Sequence, residues 1–95
     1  MPDQDYSKVL KIKNKLGLHA RAAAVFVRTS SKFECYVKLR KDGYEVNGKS
    51  ILGVLSLAAI KGSEIQVVTS GSDSEKALKS IEELVESGFG EGVEE

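Results

Sequence analysis

The stretch Cys35-Tyr36-Val37-Lys38-Leu39-Arg40-Lys41-Asp42-Gly43-Tyr44-Glu45-Val46-Asn47 decides the fold class. Up to Arg40 it alternates. Cys35, Val37 and Leu39 point one way and Tyr36, Lys38 and Arg40 the other, which is the period of a strand with one dry face and one wet face. Asp42-Gly43 is a tight-turn dipeptide, so Tyr44–Asn47 is expected to fold back as a second short strand. Outward from this hairpin, Lys8–Lys13 sets Leu10 and Ile12 against Lys11 and Lys13. Ile65 and Val67 alternate with Glu64 and Gln66 ahead of Ser70-Gly71. Four one-sided strands imply an antiparallel sheet covered on a single face. Three helices fit around them. Residues 20–31 carry Ala20, Ala23, Ala24, Phe26 and Val27 at helical spacing. Residues 51–60 follow Ser50 as N-cap and stop at Gly62. Residues 74–87 present Ala77, Leu78, Ile81, Leu84 and Val85, with Ser72 and Glu75 spaced as a capping box and Gly88 as the stop. The order βαββαβα predicts an α+β, two-layer open-faced sandwich: a four-stranded antiparallel sheet covered on one face by three helices.

Ninety-five residues suit one domain over 1–95, with a core at about 7–90 and tails at 1–6 and 91–95. A large multi-substrate enzyme is excluded by size. With 41% hydrophobic and 29% charged residues the balance is globular rather than disordered. Fourteen basic residues cancel fourteen acidic ones, so no net charge draws the chain to nucleic acid. The charges are unevenly spread, however: residues 1–62 carry twelve Lys/Arg against five acids, and residues 63–95 carry two against nine. A basic first two-thirds fits an anionic partner, and equally an uneven scatter of surface charge. No apolar run reaches the ~20 residues of a membrane helix, and the acidic start Met1-Pro2-Asp3-Gln4-Asp5 is unlike a secretory signal. Cys35 alone makes neither an internal disulfide nor a zinc site and reads as an inert core residue. The expectation is a cytoplasmic monomer without metal, cofactor or membrane insertion.

His19, the one histidine, follows Gly17-Leu18 where a loop meets the first helix. Free backbone N–H groups and the positive end of the helix dipole converge there. A positive end disfavours imidazolium, the form a nucleophile must avoid. A phosphoryl group taken up by the ring would lie where helix N-termini bind phosphate, cradled by the backbone of Ala20 and Arg21. The Arg21 guanidinium can join the same anion. A loop histidine that merely caps a helix is the plainer alternative. Ser50 has a similar pair of readings: a cap worth ~1 kcal/mol, or a hydroxyl whose phosphorylation the same dipole would tolerate. The second helix carries two apolar stripes, Ile51, Val54, Leu57 and Ala58 on one and Leu52, Leu55 and Ala59 on the other. It cannot bury both in so small a sandwich, which leaves Leu52 and Leu55 as a protein-docking patch unless a neighbouring helix covers them.

Two motifs are set aside. Gly43–Ser50 fits G-x-x-x-x-G-K-[ST], but Tyr44–Asn47 reads as a strand rather than a phosphate nest, and no magnesium-binding acid follows the next strand. Phe33, Tyr36 and Tyr44 are too few and too irregular for an RNA-stacking platform, so core or edge packing is expected of them.

Asn14-Lys15-Leu16-Gly17-Leu18-His19-Ala20-Arg21 closely resembles the active-site signature of the histidine-containing phosphocarrier family, HPr, of the phosphoenolpyruvate-dependent phosphotransferase system. Asn47-Gly48-Lys49-Ser50-Ile51-Leu52-Gly53-Val54-Leu55-Ser56-Leu57 resembles that family's regulatory-serine region. The similarity runs from about Lys8 to Gly90. It implies an open-faced β-sandwich and a carrier component rather than a stand-alone enzyme. His19 would be phosphorylated on Nδ1 by enzyme I, assisted by Arg21, and would pass the group to sugar-specific IIA domains. Ser50 would match the serine modified by a dedicated kinase in some bacteria, with effects on sugar uptake and, through a transcription regulator, on gene expression. Ile51, Leu52 and Leu55 would form the shared partner surface, bordered by Ala24, Arg28 and Lys49. One departure is Ala22, where many members have proline. Alanine restores an N–H and leaves the His19 loop less stiffly held. The resemblance leaves two alternatives open: the nitrogen-regulatory branch with the same chemistry, and a small α+β binding module without covalent chemistry.

Overall fold

The computed structural model describes residues 5–91. Its elements are β1 (Asp5–Lys11), α1 (Ala20–Ser30), β2 (Tyr36–Lys41), β3 (Tyr44–Asn47), α2 (Ile51–Ser56), β4 (Glu64–Ser70) and α3 (Ser74–Glu86). The sheet runs β1-β4-β2-β3, antiparallel throughout. β4 sits between β1, from Asp5 opposite Ser70 to Lys11 opposite Glu64, and β2, from Tyr36 opposite Ser70 to Arg40 opposite Gln66. The hairpin turn has both central residues in the left-handed region, Asp42 at φ 53° and Gly43 at φ 81°, a twist that matches the flanking strands. One face of the sheet supplies Leu10, Val37, Leu39, Ile65 and Val67, all buried, and the helices cover them with Phe26, Val54, Ile81 and Val85. The other face is open. Tyr36 stands exposed on it rather than packing at a core or edge, whereas Tyr44, two residues before buried Val46 and opposite Lys41, shares the covered face and is exposed on the edge strand β3.

Several boundaries and faces differ from the expectation. β1 begins at Asp5, inside the expected tail 1–6, because it pairs with β4 along its full length. Residues 1–4 and 92–95 of the expected tails lie outside the described residues. Ile12 falls beyond β1 yet is fully buried, held by Ile12 N–H to Ser63 O and Gly62 N–H to Ile12 O, both 2.8 Å. The dry face of α1 is Ala22, Ala23, Phe26 and Ser30, with Ala20 exposed and Ala24 and Val27 half-buried. α2 ends at Ser56, not residue 60, because Ala58 turns left-handed at φ 51°. That reversal swings Ala59 inward and Ala58 outward, opposite to the predicted stripes.

The Ser72–Glu75 capping box does not form. Asp73 is the N-cap of α3, and its carboxylate bonds across the molecule instead, accepting the N–H groups of Glu34 and Cys35 at 2.9 Å each. The Glu34 bond, with help from Cys35, outweighs partial burial and holds the Asp73 carboxyl below its usual range. Burial, and then Asp73, pushes the Cys35 thiol up to about 11, which fits an inert core residue. A carboxylate with a depressed folded-state pKa stabilises the fold above its unfolded value, about 3.9, and loses that effect as pH falls through the folded value. Asp73→Asn keeps only one acceptor oxygen for two donors. It should therefore unfold at lower denaturant than wild type at pH 7, and the gap should close towards pH 2; a gap that is constant with pH would contradict the assignment.

The charge asymmetry is partly internal. Lys8 pairs with Glu82 and Lys13 with Glu86, joining the basic first strand and the loop after it to the acidic last helix. Such exposed pairs contribute at most about 1 kcal/mol each, but they take two lysines out of the account for an anionic partner.

Candidate functional site

The loop from Ile12 to His19 is tied down before it reaches α1. Asn14 is fully buried, and its Nδ2 donates to Gly17 O at 2.8 Å while Gly17 N–H donates to Asn14 O at 3.1 Å. Gly17 is left-handed at φ 66°, and a Cβ there would stand 2.4 Å from Ala59 O, so only glycine allows the two segments to touch. Leu18 N–H then donates to Ala59 O at 2.9 Å and its side chain enters the core. This delivers His19 to the N-cap of α1 in extended conformation, φ −78° and ψ −178°.

At the cap, His19 O accepts the first helical bond from Ala23 N–H at 2.8 Å. The ring turns Nδ1 back to accept from Arg21 N–H at 3.3 Å. Nε2 lies 2.5 Å from Glu91 Oε2. A ring whose Nδ1 accepts and whose Nε2 faces a carboxylate carries its hydrogen on Nε2. The imidazole is 26% exposed, so the ring is partly open to solvent. The Arg21 residue is itself exposed.

Glu91 belongs to none of the sequence signals, since it falls in the expected tail 91–95. Its Oε1 accepts from Asn14 Nδ2 at 3.0 Å. Burial opposes its charge, but the bonds from Asn14 and His19 and the positive charge of Arg21 prevail and hold its carboxyl below the usual range.

Ser50 caps α2 as expected, Oγ accepting from Gly53 N–H at 3.1 Å. Lys49 is half-buried, its Nζ donating to Phe33 O at 2.6 Å. Of the expected apolar surface, Leu52 (79%) and Ile51 (43%) are exposed, whereas Leu55 is half-buried against the core. Ala24 is half-buried, and Arg28 is exposed in the last turn of α1. Leu16 and Ile60 are also exposed, at 66% and 71%. Periodicity singles out neither, because each sits in a loop and the Gly17–Ala59 contact brings them to the same side. Tyr44–Asn47 is a strand, so the glycine-lysine pattern forms no phosphate nest. Among the described residues no three His, Cys, Asp or Glu side chains gather as a metal site would require, and no helix is long and apolar enough to cross a membrane.

Residues 6–87 match the family of the PTS HPr component phosphorylation site. The phosphocarrier protein HPr of Neisseria meningitidis is 46% identical over 83 residues, 87% of this chain and 93% of that relative. The protein of the same name in Xylella fastidiosa is 49% identical over 82 residues, 86% and 92% of the two chains. The crystal structure of HPr from Thermoanaerobacter tengcongensis superposes with a TM-score of 0.89 at 44% identity, covering 93% of this chain and 99% of that one.

Proposed function

The chain belongs to the HPr phosphocarrier family of the phosphotransferase system, and from that premise we propose that His19 accepts a phosphoryl group from phospho-enzyme I and hands it to IIA domains in cytoplasmic sugar uptake. The observation that carries this reading is the position of Nδ1, an unshared pair at a helix N-cap facing Arg21 N–H. When the Nδ1 pair attacks phosphorus, the arriving oxygens replace Nδ1 as acceptors for that N–H, and the positive helix end favours the new anion. The Arg21 guanidinium can swing over the same oxygens. No metal or nucleotide enters, because each partner supplies the other half of the transfer site. The cradle consists of one exposed helix end and one mobile side chain, so it stabilises the phosphoryl group modestly and lets it leave.

Ile51, Leu52, Leu16 and Ile60 supply exposed apolar area for enzyme I and IIA domains to cover. Ser50 is the regulatory position in this reading: a phosphate on its Oγ would sit at the N-terminus of α2 and add charge beside that apolar area. The test is incubation of the full chain with phosphoenolpyruvate and enzyme I, followed by intact-mass and peptide analysis. The expected product carries one phosphoryl group on the peptide containing His19, lost in acid and stable in alkali. An acid-stable product that vanishes in Ser50→Ala, with nothing on His19, would reject the carrier reading.

A further inference from the structure

Strand β3 stops short of the strand it pairs with, and a cleft opens where it ends. Asn47, the last residue of β3, lies opposite Lys38, whereas β2 already begins at Tyr36. Gly48 N–H still reaches Val37 O at 2.7 Å, and the chain then leaves the sheet for α2. The cleft, about 450 Å³, lies between segments 34–38 and 45–49. Both walls are fastened. Asp73 accepts the N–H groups of Glu34 and Cys35 on one side. On the other, Ser30 Oγ donates to Gly48 O at 2.7 Å and Lys49 N–H to Asn47 Oδ1 at 2.8 Å. A cleft of this volume with hydrogen-bonded walls has the dimensions of a small-molecule site.

Cys35, Val37 and Val46 line the cleft and are buried, and Tyr36, 76% exposed, borders it. Lys49 brings a cation. It is half-buried and gives one of its three ammonium hydrogens to Phe33 O at 2.6 Å. No carboxylate of the described residues stands within ion-pair distance of it. Burial dominates the raised pKa of the Cys35 thiol and the Lys49 charge opposes it, so that charge is felt at the cleft wall. A partly desolvated ammonium with hydrogens to spare favours an anion. Two carboxylates limit the charge that anion can carry. Glu45 is engaged by Arg40 at 2.7 Å and Lys38 at 3.8 Å, whereas Glu34 lines the cleft with its side chain exposed. A phosphate dianion is repelled there more than a single carboxylate. We propose that the cleft binds a small aryl monocarboxylate, its carboxylate on Lys49 Nζ and its ring against Val37, Val46 and the Tyr36 ring. Helix α1, about 16 Å long, separates this place from His19 at its other end.

The experiment is a titration of the uniformly ¹⁵N-labelled full chain, followed by amide shifts, with three probes that share a phenyl ring. They are phenylacetate, the uncharged phenylacetamide and the dianion phenyl phosphate. Phenylacetate should give saturable shifts centred on the amides of Cys35, Tyr36, Val46 and Lys49, and leave Ala20 and Arg21 still. Loss of one charge-assisted bond should weaken binding about ten-fold or more, both for phenylacetamide on wild type and for phenylacetate on Lys49→Met. Phenyl phosphate should bind wild type more weakly than phenylacetate, and Glu34→Gln should narrow that difference. Thermal melts show that each variant is folded, and the comparison of phenylacetate with phenylacetamide needs no variant. Shifts that never saturate, shifts centred on the start of α1, or equal affinities for acid and amide would each overturn the proposal. So would a phosphate that binds as tightly as the carboxylate, or a folded Lys49→Met that binds phenylacetate as wild type does.

Discussion

His19→Ala is expected to lose phosphoryl transfer altogether while remaining folded. In the proposed reading the substitution removes the nucleophile, and the sequence holds no second histidine to replace it. Removing the group that attacks costs at least about 10⁴-fold where such residues have been deleted, so the product should fall below detection. The structural cost is separate and small. The ring's cap on Arg21 N–H disappears, a loss of about 1 kcal/mol, set against the roughly 5–15 kcal/mol of a typical domain. The ring is only partly buried, so no core cavity opens. Denaturant unfolding and the phosphorylation assay, run on the same preparation, check both halves. Acid-labile phosphate on His19→Ala would place the acceptor elsewhere and remove the basis for the carrier reading.

Gly17→Ala should damage both stability and transfer. Two costs add. An L side chain in the left-handed region costs about 1–2 kcal/mol. The new Cβ would also lie 2.4 Å from Ala59 O and 2.9 Å from Ile60 Cα, which are backbone atoms that no rotamer change can move aside. Relieving that overlap means parting the two segments and stretching the Leu18 N–H to Ala59 O bond, about 1–3 kcal/mol more. The sum, about 2–5 kcal/mol, corresponds to a fall in Tm on the order of 10–30 °C for a chain of this size. A comparison variant isolates the second cost: Gly43 is also left-handed at φ 81°, but a Cβ added there would meet nothing within 4 Å. Gly43→Ala should therefore cost only the backbone part, about 1–2 kcal/mol. Because Gly17 also delivers His19 to the helix end, a shift of about 1 Å there would slow transfer on the order of 100-fold. Equal stability losses for the two variants would show that the Gly17–Ala59 contact is unimportant.

These two sites illustrate how differently the parts of the molecule can be read. The helix start at Ala20, the hairpin Tyr36–Asn47 and the Ser50 cap follow from residues close to one another along the chain. Alternation, turn dipeptides and capping hydroxyls are short-range physics, so the covered sheet and its three helices were legible without coordinates. The placement of His19 and Arg21 at the start of α1 was legible for the same reason, since ring, helix end and cation lie within three consecutive positions.

The length of α2 was not legible, because Ile51–Ile60 keeps an apolar helical period past the point where Ala58 turns left-handed. There the approach of the Gly17 loop, far earlier in the chain, makes a carbonyl bond at Ala59 worth more than another helical turn. Asp73 was expected beside a capping box and instead holds two N–H groups 38 and 39 positions away.

What the linear order of residues determined is the set of elements, their one-sided faces and the chemistry gathered at the start of α1, all of it encoded in neighbours along the chain. What only the tertiary structure decided is which distant polar groups meet. Glu91 comes to His19 across 72 positions, through a reversal after α3 that no period or local motif announces. The closure of a chain on itself depends on how all its elements pack at once, and that information is spread over the whole core rather than written at either end of the contact.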